Sequence, residues 1–323
     1  MRRSAVEFAG YLPVSISTLL PGNVVGVRLY IRDSSATMPR LYRGADIPFE
    51  LRDRDRLLSN GLRSLYINVC DRERYQEYLR QNLESILGNE EIPVSDRFTS
   101  LNIVVRDVLA GSFRANDVEA CVRGAVRLAD YCVDLMSRDD CVVADIIGLL
   151  NHDYQTFTHS ANVSFYCVLL ARSFGISDPS ELKEIAIGGF LHDLGKLDIP
   201  DRVLNKPGKL SDHECDLVRD HPRSGFVKLC RRDDITWPQL MMVYQHHERV
   251  DGGGYPVGCS KQELHEWSRL CAVADVYEAL TSNRPYRPRL NAVEIRHIMD
   301  RDAGTKFDEQ FLHCWMGVVG RKG

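Results

Sequence analysis

The 323-residue sequence lacks a Cys-x-x-Cys pair, a long apolar run and a basic excess. Its cysteines are scattered, and Cys121, Cys167 and Cys271 fall within apolar helical patterns. This distribution predicts reduced core thiols in a cytoplasmic protein rather than a structural zinc knot. The formal net charge of -4 argues against a general binder of DNA or RNA polymers, because proteins that bind duplexes usually show a basic excess.

We expect neither a targeting segment nor a membrane span. The N-terminus carries Arg2 and Arg3 but lacks the apolar run of about seven residues that a secretory signal needs. The longest apolar stretch, Phe165 to Ala171, is too short to span a bilayer. We therefore expect a cytoplasmic protein without membrane insertion.

The N-terminal part of the chain has a mixed character. Val24 to Ile31 and Ser64 to Val69 are rich in β-branched and aromatic residues, and Arg72 to Leu87 follows a helical pattern. These segments predict a small α/β domain over residues 1–88. Asn89 to Asp96 contains two glutamates and a proline and marks a boundary.

The rest of the chain has a helical pattern. From Arg97 onward strand signals nearly vanish, and apolar residues recur at helical spacing. The pair Asn116 and Glu119 resembles a capping box that would start one helix. We predict a mostly α protein whose second domain, residues 97–323, is all-helical with its core at 152–323. The helices before that core would transmit a signal, form a homodimer or simply pack.

Metal-binding side chains concentrate in two separate segments, His192-Asp193-Leu194-Gly195-Lys196 and His246 to Pro256. Histidine and aspartate suit iron, manganese or zinc, so the pattern indicates a hydrolytic or redox metal centre. In the second segment, Asp251 precedes three glycines. These predict a tight loop with positive φ angles that brings Tyr255 close to a ligand.

Each candidate ligand has an ordinary alternative. His192 and Asp193 are predicted at the C-terminal end of a buried helix, where Asp193 would bridge two metals, and the alternative is a buried ion pair. For His246 and His247 the alternative is a solvent-facing pair.

Three more residues complete the candidate set. His159 is a ligand or a core histidine with one hydrogen bond, and His221 is a ligand or an exposed cap residue. Asp275 lies in an apolar helical stretch, where a carboxylate needs a partner that a metal would provide. Two cations that share Asp193 would activate water and stabilise phosphoryl charge, without a separate general base.

The chain from His152 onward resembles the HD-GYP domain, a subgroup of the HD phosphohydrolases, in these two segments and three others: Ile199 to Leu210, Thr281 to Arg287 and Gly304 to Asp308. The resemblance implies an all-helical HD-type bundle with two divalent metal ions. One ion would be held by His159, His192 and Asp275, and the second by His221, His246 and His247, with Asp193 as the bridge. Iron is the metal that the resemblance favours, and manganese, nickel and zinc remain alternatives.

The resemblance also implies hydrolysis of cyclic di-GMP in bacterial signalling. Asp193 and Lys196 would act in catalysis, and the substrate would contact Lys196, Tyr255, Arg284 and Arg287. For the two arginines the alternative is a solvated basic patch. Domains of this family usually accompany a sensor, so residues 1–88 are expected to be regulatory.

One position departs from the family pattern. Members with a third metal carry a glutamate one helical turn before the first histidine, and Gln155 stands there in this chain. An amide is a poorer ligand than a carboxylate for a hard cation. We therefore expect two metals, and the resemblance to two-metal members of the family implies pGpG, rather than GMP, as the product.

Two rival functions remain open at this point. The domain would bind a cyclic dinucleotide as a receptor without turning it over, or it would hydrolyse another substrate, such as 3′,3′-cyclic GMP-AMP or a nucleotide monophosphate ester. Turnover across a panel of substrates separates these alternatives.

Overall fold

The computed structural model describes residues 10–32, 38–138, 146–147, 149–150, 156–206, 208–283 and 288–320. The chain divides into two compact units, Met1–Val104 and Val105–Gly323. The division falls inside a helix, downstream of the boundary that the sequence suggests at residues 89–96.

The first unit contains a four-stranded antiparallel sheet of order β1-β4-β2-β3. Its strands are β1 (Tyr11–Ser15), β2 (Leu29–Ile31), β3 (Arg40–Arg43) and β4 (Ser64–Asn68). Helices α1 (Leu51–Ser59) and α2 (Arg72–Gly88) accompany the sheet. In β4, Leu65 and Ile67 are buried while their neighbours are partly exposed, the alternation of a strand with one face on a core. The predicted α/β character is confirmed.

The remainder of the described chain is helical, as predicted. Its helices are α3 (Val94–Arg114), α4 (Val118–Met136), α5 (Thr156–Phe174), α6 (Pro179–Leu191), α7 (Asp201–Leu204), α8 (Asp212–Arg219), α9 (His221–Leu229), α10 (Trp237–Gln245), α11 (Glu266–Thr281), α12 (Ala292–Arg301) and α13 (Glu309–Gly320). Among the described residues, no helix is both long and apolar enough to traverse a bilayer.

The predicted start of α4 is wrong by one residue. Asp117, not Asn116, is the N-cap, and its side chain accepts a hydrogen bond from the backbone N–H of Ala120 at 2.9 Å. Asn116 instead adopts a left-handed conformation with φ of 51°, which asparagine tolerates better than most residues. The α3–α4 corner therefore turns at Asn116, before the cap.

The close packing of α5 against α6 sets the position of the first histidines. A Cβ atom on Gly189 would lie 2.7 Å from the Cα of Ser164, so only glycine permits this approach of the two helices. The Ser164 hydroxyl also donates to the carbonyl of Ala186 at 2.8 Å. As a result, the rings of His159 on α5 and His192 at the end of α6 have centroids 5.2 Å apart.

Candidate metal centre

The seven predicted ligands converge in the helical unit. Two groups have ligand atoms that lie within 4.8 Å of one another, His159 with His192 and Asp275, and His221 with His246 and His247. Six of these seven side chains are almost fully buried, and His247 is a quarter exposed. This arrangement excludes the solvent-facing alternatives for His221 and His246.

Asp193 lies between the two groups. Its Oδ2 is 3.4 Å from Nε2 of His159 and 3.4 Å from Nε2 of His192. Its Oδ1 is 3.2 Å from Nε2 of His221 and 3.9 Å from Nε2 of His246. One carboxylate therefore presents a different oxygen to each group, which is the geometry that a bridging ligand requires.

Neighbouring residues His192 and Asp193 point to one centre because the helix ends between them. His192 is the C-cap of α6, as predicted, and still has helical dihedral angles. Asp193 leaves the helix with φ of -96° and ψ of 11° and precedes a 3-10 turn, Leu194–Asp198. On a continuous helix the two side chains would diverge by about 100°.

Backbone carbonyl groups orient three of the imidazole rings. The Nδ1 atoms of His192, His221 and His246 lie 2.8, 2.6 and 3.0 Å from the carbonyl oxygens of Gly189, Val218 and Val243. When Nδ1 carries the proton that makes this bond, Nε2 keeps its lone pair toward the centre. The ends of α6 and α10 and the start of α9 thus present three ligand atoms.

Glu278, which the sequence analysis did not single out, orients the fourth ring. The buried Glu278 carboxylate pairs with Nδ1 of His159 through Oε2 and accepts a hydrogen bond from Asn162 Nδ2 at 3.1 Å through Oε1. It lies on α11 at helical spacing from Asp275, so it shares that residue's face, and this spacing is a sequence signal that could have identified it.

The His159 ring lies between two carboxylates. Its Nε2 is 3.0 Å from Oδ1 of Asp275, on the side opposite Glu278. Burial by itself would lower the pKa of His159, but the charge of Glu278 and the bond to Asp275 outweigh burial and raise that pKa to about 10. A metal at Nε2 would replace the proton there while Nδ1 keeps its bond to Glu278.

The donor set fits divalent metal ions. Among the described residues, His192 Nε2 and Asp193 Oδ1 are buried without a hydrogen bond of normal geometry. Unsatisfied buried polar atoms are costly, and a coordinated cation would satisfy both. Burial and the adjacent His247, His192 and His221 rings also lower the pKa of His246, which keeps it in the neutral form that binds metals.

The loop after His247 is anchored by Glu248, a second residue outside the predicted site. Buried Glu248 accepts hydrogen bonds from the backbone N–H groups of Val257 and Gly258, at 2.7 and 3.0 Å. A Cβ atom on Gly254 would lie 2.4 Å from the Cα of Glu248, so the loop can close only with glycine at this position. The backbone N–H of Asp251 donates to the carbonyl of Thr305 at 3.0 Å, which ties the loop to the Gly304 to Asp308 segment.

The prediction of positive φ angles through this loop is only partly right. Of the three glycines after Asp251, Gly252 alone has a positive φ, 78°. Gly254 is needed for close approach to Glu248 rather than for a left-handed conformation. The loop nevertheless brings Tyr255 to the centre, where its ring lies 4.8 Å from that of His247 at an interplanar angle of 30°.

Of the residues predicted to contact substrate, the structure describes Lys196 and Tyr255. Lys196, in the 3-10 turn after Asp193, donates a hydrogen bond to Oδ2 of Asp193. Arg284, Arg287 and Gln155 lie outside the described residues. Lys196 therefore lies on the Asp193 side of the centre, and Tyr255 lies on the His247 side.

Comparisons with known proteins identify a shared domain. The HD domain family matches residues 143–311 of this chain. A cyclic di-GMP phosphodiesterase of Pseudomonas aeruginosa is 39% identical over 193 residues, which cover 60% of this chain and 46% of that protein. A 3′3′-cGAMP-specific phosphodiesterase of Vibrio cholerae is 36% identical over 159 residues, 48% of this chain and 36% of that protein.

A solved structure has a similar fold over most of the chain. A HDG"Y"P protein from Bdellovibrio bacteriovorus superposes with a TM-score of 0.66 and 21% identity, covering 96% of this chain and 99% of that one. This similarity extends to the fold alone. The chain spans less than half the length of the two enzymes from Pseudomonas and Vibrio, 46% and 36%.

Proposed function

Since this chain belongs to the HD domain family, we propose that it is a metal-dependent phosphodiesterase that hydrolyses cyclic di-GMP to pGpG. The observation that carries the proposal is the position of Asp193, whose two carboxylate oxygens face two separate groups of ligand atoms. The similarity to a cyclic di-GMP phosphodiesterase of Pseudomonas aeruginosa supports the choice of substrate.

The proposal assigns two divalent cations to the centre. His159, His192 and Asp275 would hold one, His221, His246 and His247 the other, and Asp193 would bridge them. Bound cations of this kind supply Lewis-acid chemistry, by generating a hydroxide nucleophile near neutral pH and by offsetting charge on the reacting phosphoryl group. Imidazole and carboxylate ligands suit iron, manganese, nickel and zinc alike, and we propose iron first because of the resemblance to the HD-GYP domain.

The chain's own residues would bind and orient the substrate. The Lys196 ammonium group lies beside Asp193 and can donate to a phosphate oxygen there. The Tyr255 ring lies over His247 and presents an aromatic face and a hydroxyl at the edge of the centre. Arg284 and Arg287, which follow α11 in the sequence, are proposed as bidentate phosphate partners.

We propose two metals because Gln155 stands where a third would require a carboxylate, and pGpG as the end product by analogy with two-metal members of the HD-GYP family. A second substrate has one specific observation in its favour, the 36% identity to a 3′3′-cGAMP-specific phosphodiesterase. The same centre would cleave either cyclic dinucleotide, since the reacting phosphodiester is common to both.

The N-terminal part, residues 1–88, is proposed to be a regulatory domain that precedes the helical domain at 97–323. We place the protein in the cytoplasm, where cyclic dinucleotides are available to it. Dimerisation through the helices before the core remains a proposal that sedimentation would test.

The decisive experiment is anaerobic incubation of the iron-loaded protein with cyclic di-GMP, 3′,3′-cyclic GMP-AMP and bis(p-nitrophenyl) phosphate. Products are separated by chromatography, and metals are counted on the same sample. About two metals per chain with pGpG as the product is the expected result. Conversion onward to GMP would contradict the interpretation of Gln155. Full metal occupancy with binding but no product would make the protein a receptor.

A further inference from the structure

A cavity of about 570 Å³ opens next to Lys196 in the helical unit. Its described lining comes from the α3–α4 corner, the start of α5 and the segment from the 3-10 turn to the end of α7, and includes Phe113, Arg114, Asn116, Phe157, Lys196 and Asn205. Lys196 lines this cavity and also donates a hydrogen bond to Asp193. The cavity and the metal centre therefore share one residue.

The lining combines aromatic rings with amide and guanidinium groups. Phe113 and Phe157 are half-buried, so each keeps part of its ring accessible. Arg114, Asn116 and Asn205 are exposed and lie around them. Aromatic faces stack on unpaired nucleobases, while amide and guanidinium groups hydrogen-bond base edges.

Among the residues that the structure describes, Arg114 makes one side-chain hydrogen bond. Its Nε donates to the carbonyl of Ala110, one turn earlier in α3, at 3.2 Å. This bond directs the side chain along its own helix, while the two Nη groups can donate to a ligand. A guanidinium group pairs in a bidentate manner with O6 and N7 of guanine, an arrangement that adenine, with its N6 amino group, does not accept.

We propose that this cavity is the subsite for one guanine base of the cyclic dinucleotide, with Arg114 as its specificity-determining residue. The inference rests on the proposed function, because the phosphodiester would lie at the metal centre on the far side of Lys196. The volume falls within the range of small-molecule sites. The shared Lys196 would connect base recognition to phosphate binding.

The α3–α4 corner lies outside residues 143–311, the part that the HD domain family matches. Because Asp117 caps α4, the side chain of Asn116 is not used as a cap and lines the cavity. Base selectivity in this chain would therefore depend on residues that the shared domain does not include.

The test is equilibrium binding to the metal-loaded full chain, with hydrolysis-resistant phosphorothioate analogues of cyclic di-GMP and cyclic di-AMP as probes. The variants are Arg114→Ala and Phe113→Ala, and Arg123→Ala on α4 is the matched control, because that arginine is exposed and pairs with Glu119, one turn earlier on the same helix, at 3.0 Å. Hydrolysis of bis(p-nitrophenyl) phosphate, which has no nucleobase, is measured on the same samples.

We expect Arg114→Ala to weaken binding of the cyclic di-GMP analogue about tenfold and to reduce its preference over the cyclic di-AMP analogue. Phe113→Ala should weaken both analogues, whereas the control Arg123→Ala should keep the parent affinities for both and the parent rate on bis(p-nitrophenyl) phosphate. Unchanged affinity and unchanged preference in Arg114→Ala would overturn the subsite.

The inference and the proposed function fail in different ways. If the parent protein binds neither analogue, the subsite is wrong together with cyclic di-GMP as the substrate. Hydrolysis of bis(p-nitrophenyl) phosphate would then still report whether the phosphodiesterase chemistry is present.

Discussion

The α-carbon of Gly195 packs directly against the backbone of His221. A Cβ atom at position 195 would lie 1.9 Å from the carbonyl oxygen of His221 and 2.6 Å from the backbone nitrogen of Gly225. The turn that carries Asp193 and Lys196 is therefore pressed onto the first turn of α9. This contact places the Asp193 carboxylate within reach of the second group of histidines.

Gly195→Ala should therefore damage the centre without altering any ligand. The extra methyl group forces α9 and His221 away, and we expect a loss of about 1–3 kcal/mol of unfolding free energy together with loss of bound metal. Thermal unfolding and metal analysis measure the two effects. Gly317→Ala on α13 is the control, because its Cβ would meet nothing within 4 Å. Equal metal content in the two variants would contradict the argument.

Asp193→Asn should remove metal and turnover together. The amide keeps the size of the carboxylate but cannot supply an anionic oxygen to each histidine group. The test measures the number of metal ions per chain and the rate of bis(p-nitrophenyl) phosphate hydrolysis. Asp198→Asn, in the same 3-10 turn, removes a half-exposed partner of Lys228 at 2.8 Å and should leave both unchanged. An Asp193→Asn protein with full turnover would refute the bridge.

Glu278→Gln should weaken metal binding although Glu278 is not a proposed ligand. The neutral amide no longer fixes the His159 ring with a charged acceptor, and losses of this kind are about 10–100-fold in metal affinity. Competition with a chelator measures the affinity. Ser282→Ala removes only one hydrogen bond to Glu278 and should have a smaller effect. Matching affinities for Glu278→Gln and the parent protein would show that Glu278 only fills space.

Lys196→Ala should separate substrate binding from metal binding. The metal count should stay at the parent value, because the proposed ligands are intact, while KM for cyclic di-GMP rises about 10–100-fold through loss of a charge-assisted phosphate contact. Steady-state kinetics and metal analysis on one preparation provide the test. Lys183→Ala on α6, which removes an ion pair with Asp130, is the control. Loss of metal in Lys196→Ala would instead assign the lysine to holding Asp193.

Asp308 should make part of the stability dependent on pH. Burial opposes its charge, but the backbone N–H of Gln310 and the cations Lys261 and Arg269 outweigh burial and hold the pKa of Asp308 below its usual value. Its contribution is therefore complete above the unfolded value of about 3.9 and is lost as pH falls through the lower folded value. Asp308→Asn should lower Tm at pH 7 and converge with the parent protein in acid. Asp300→Asn, which removes an exposed i,i+4 ion pair with Arg296, should leave Tm close to the parent value both at pH 7 and in acid.

The fold class could be predicted because periodicity is a local property. The period-two alternation of β4 and the apolar spacing of α4 are visible in the sequence, and both elements lie where they were expected. The cap of α4 was assigned one residue early, since Asn116 and Asp117 both suit a helix N-terminus and only the backbone angles separate them. The boundary between the two units is harder to predict from the sequence, because α3 continues across it without a break in the helical pattern.

The sequence by itself determined which side chains were available for a metal: the histidines and aspartates stand in short, unusual motifs, and their chemistry limits what they can bind. Only the tertiary structure decided their arrangement. Asp193 faces two groups because α6 ends at His192, and Gly195 permits the turn to contact His221. Glu278 pairs with His159, which is distant in the sequence. Glu248 binds the backbone of a loop that must close first. The helical spacing of Glu278 from Asp275 is visible in the sequence, but its pairing with His159 and the contact of Glu248 with the loop depend on how the chain packs.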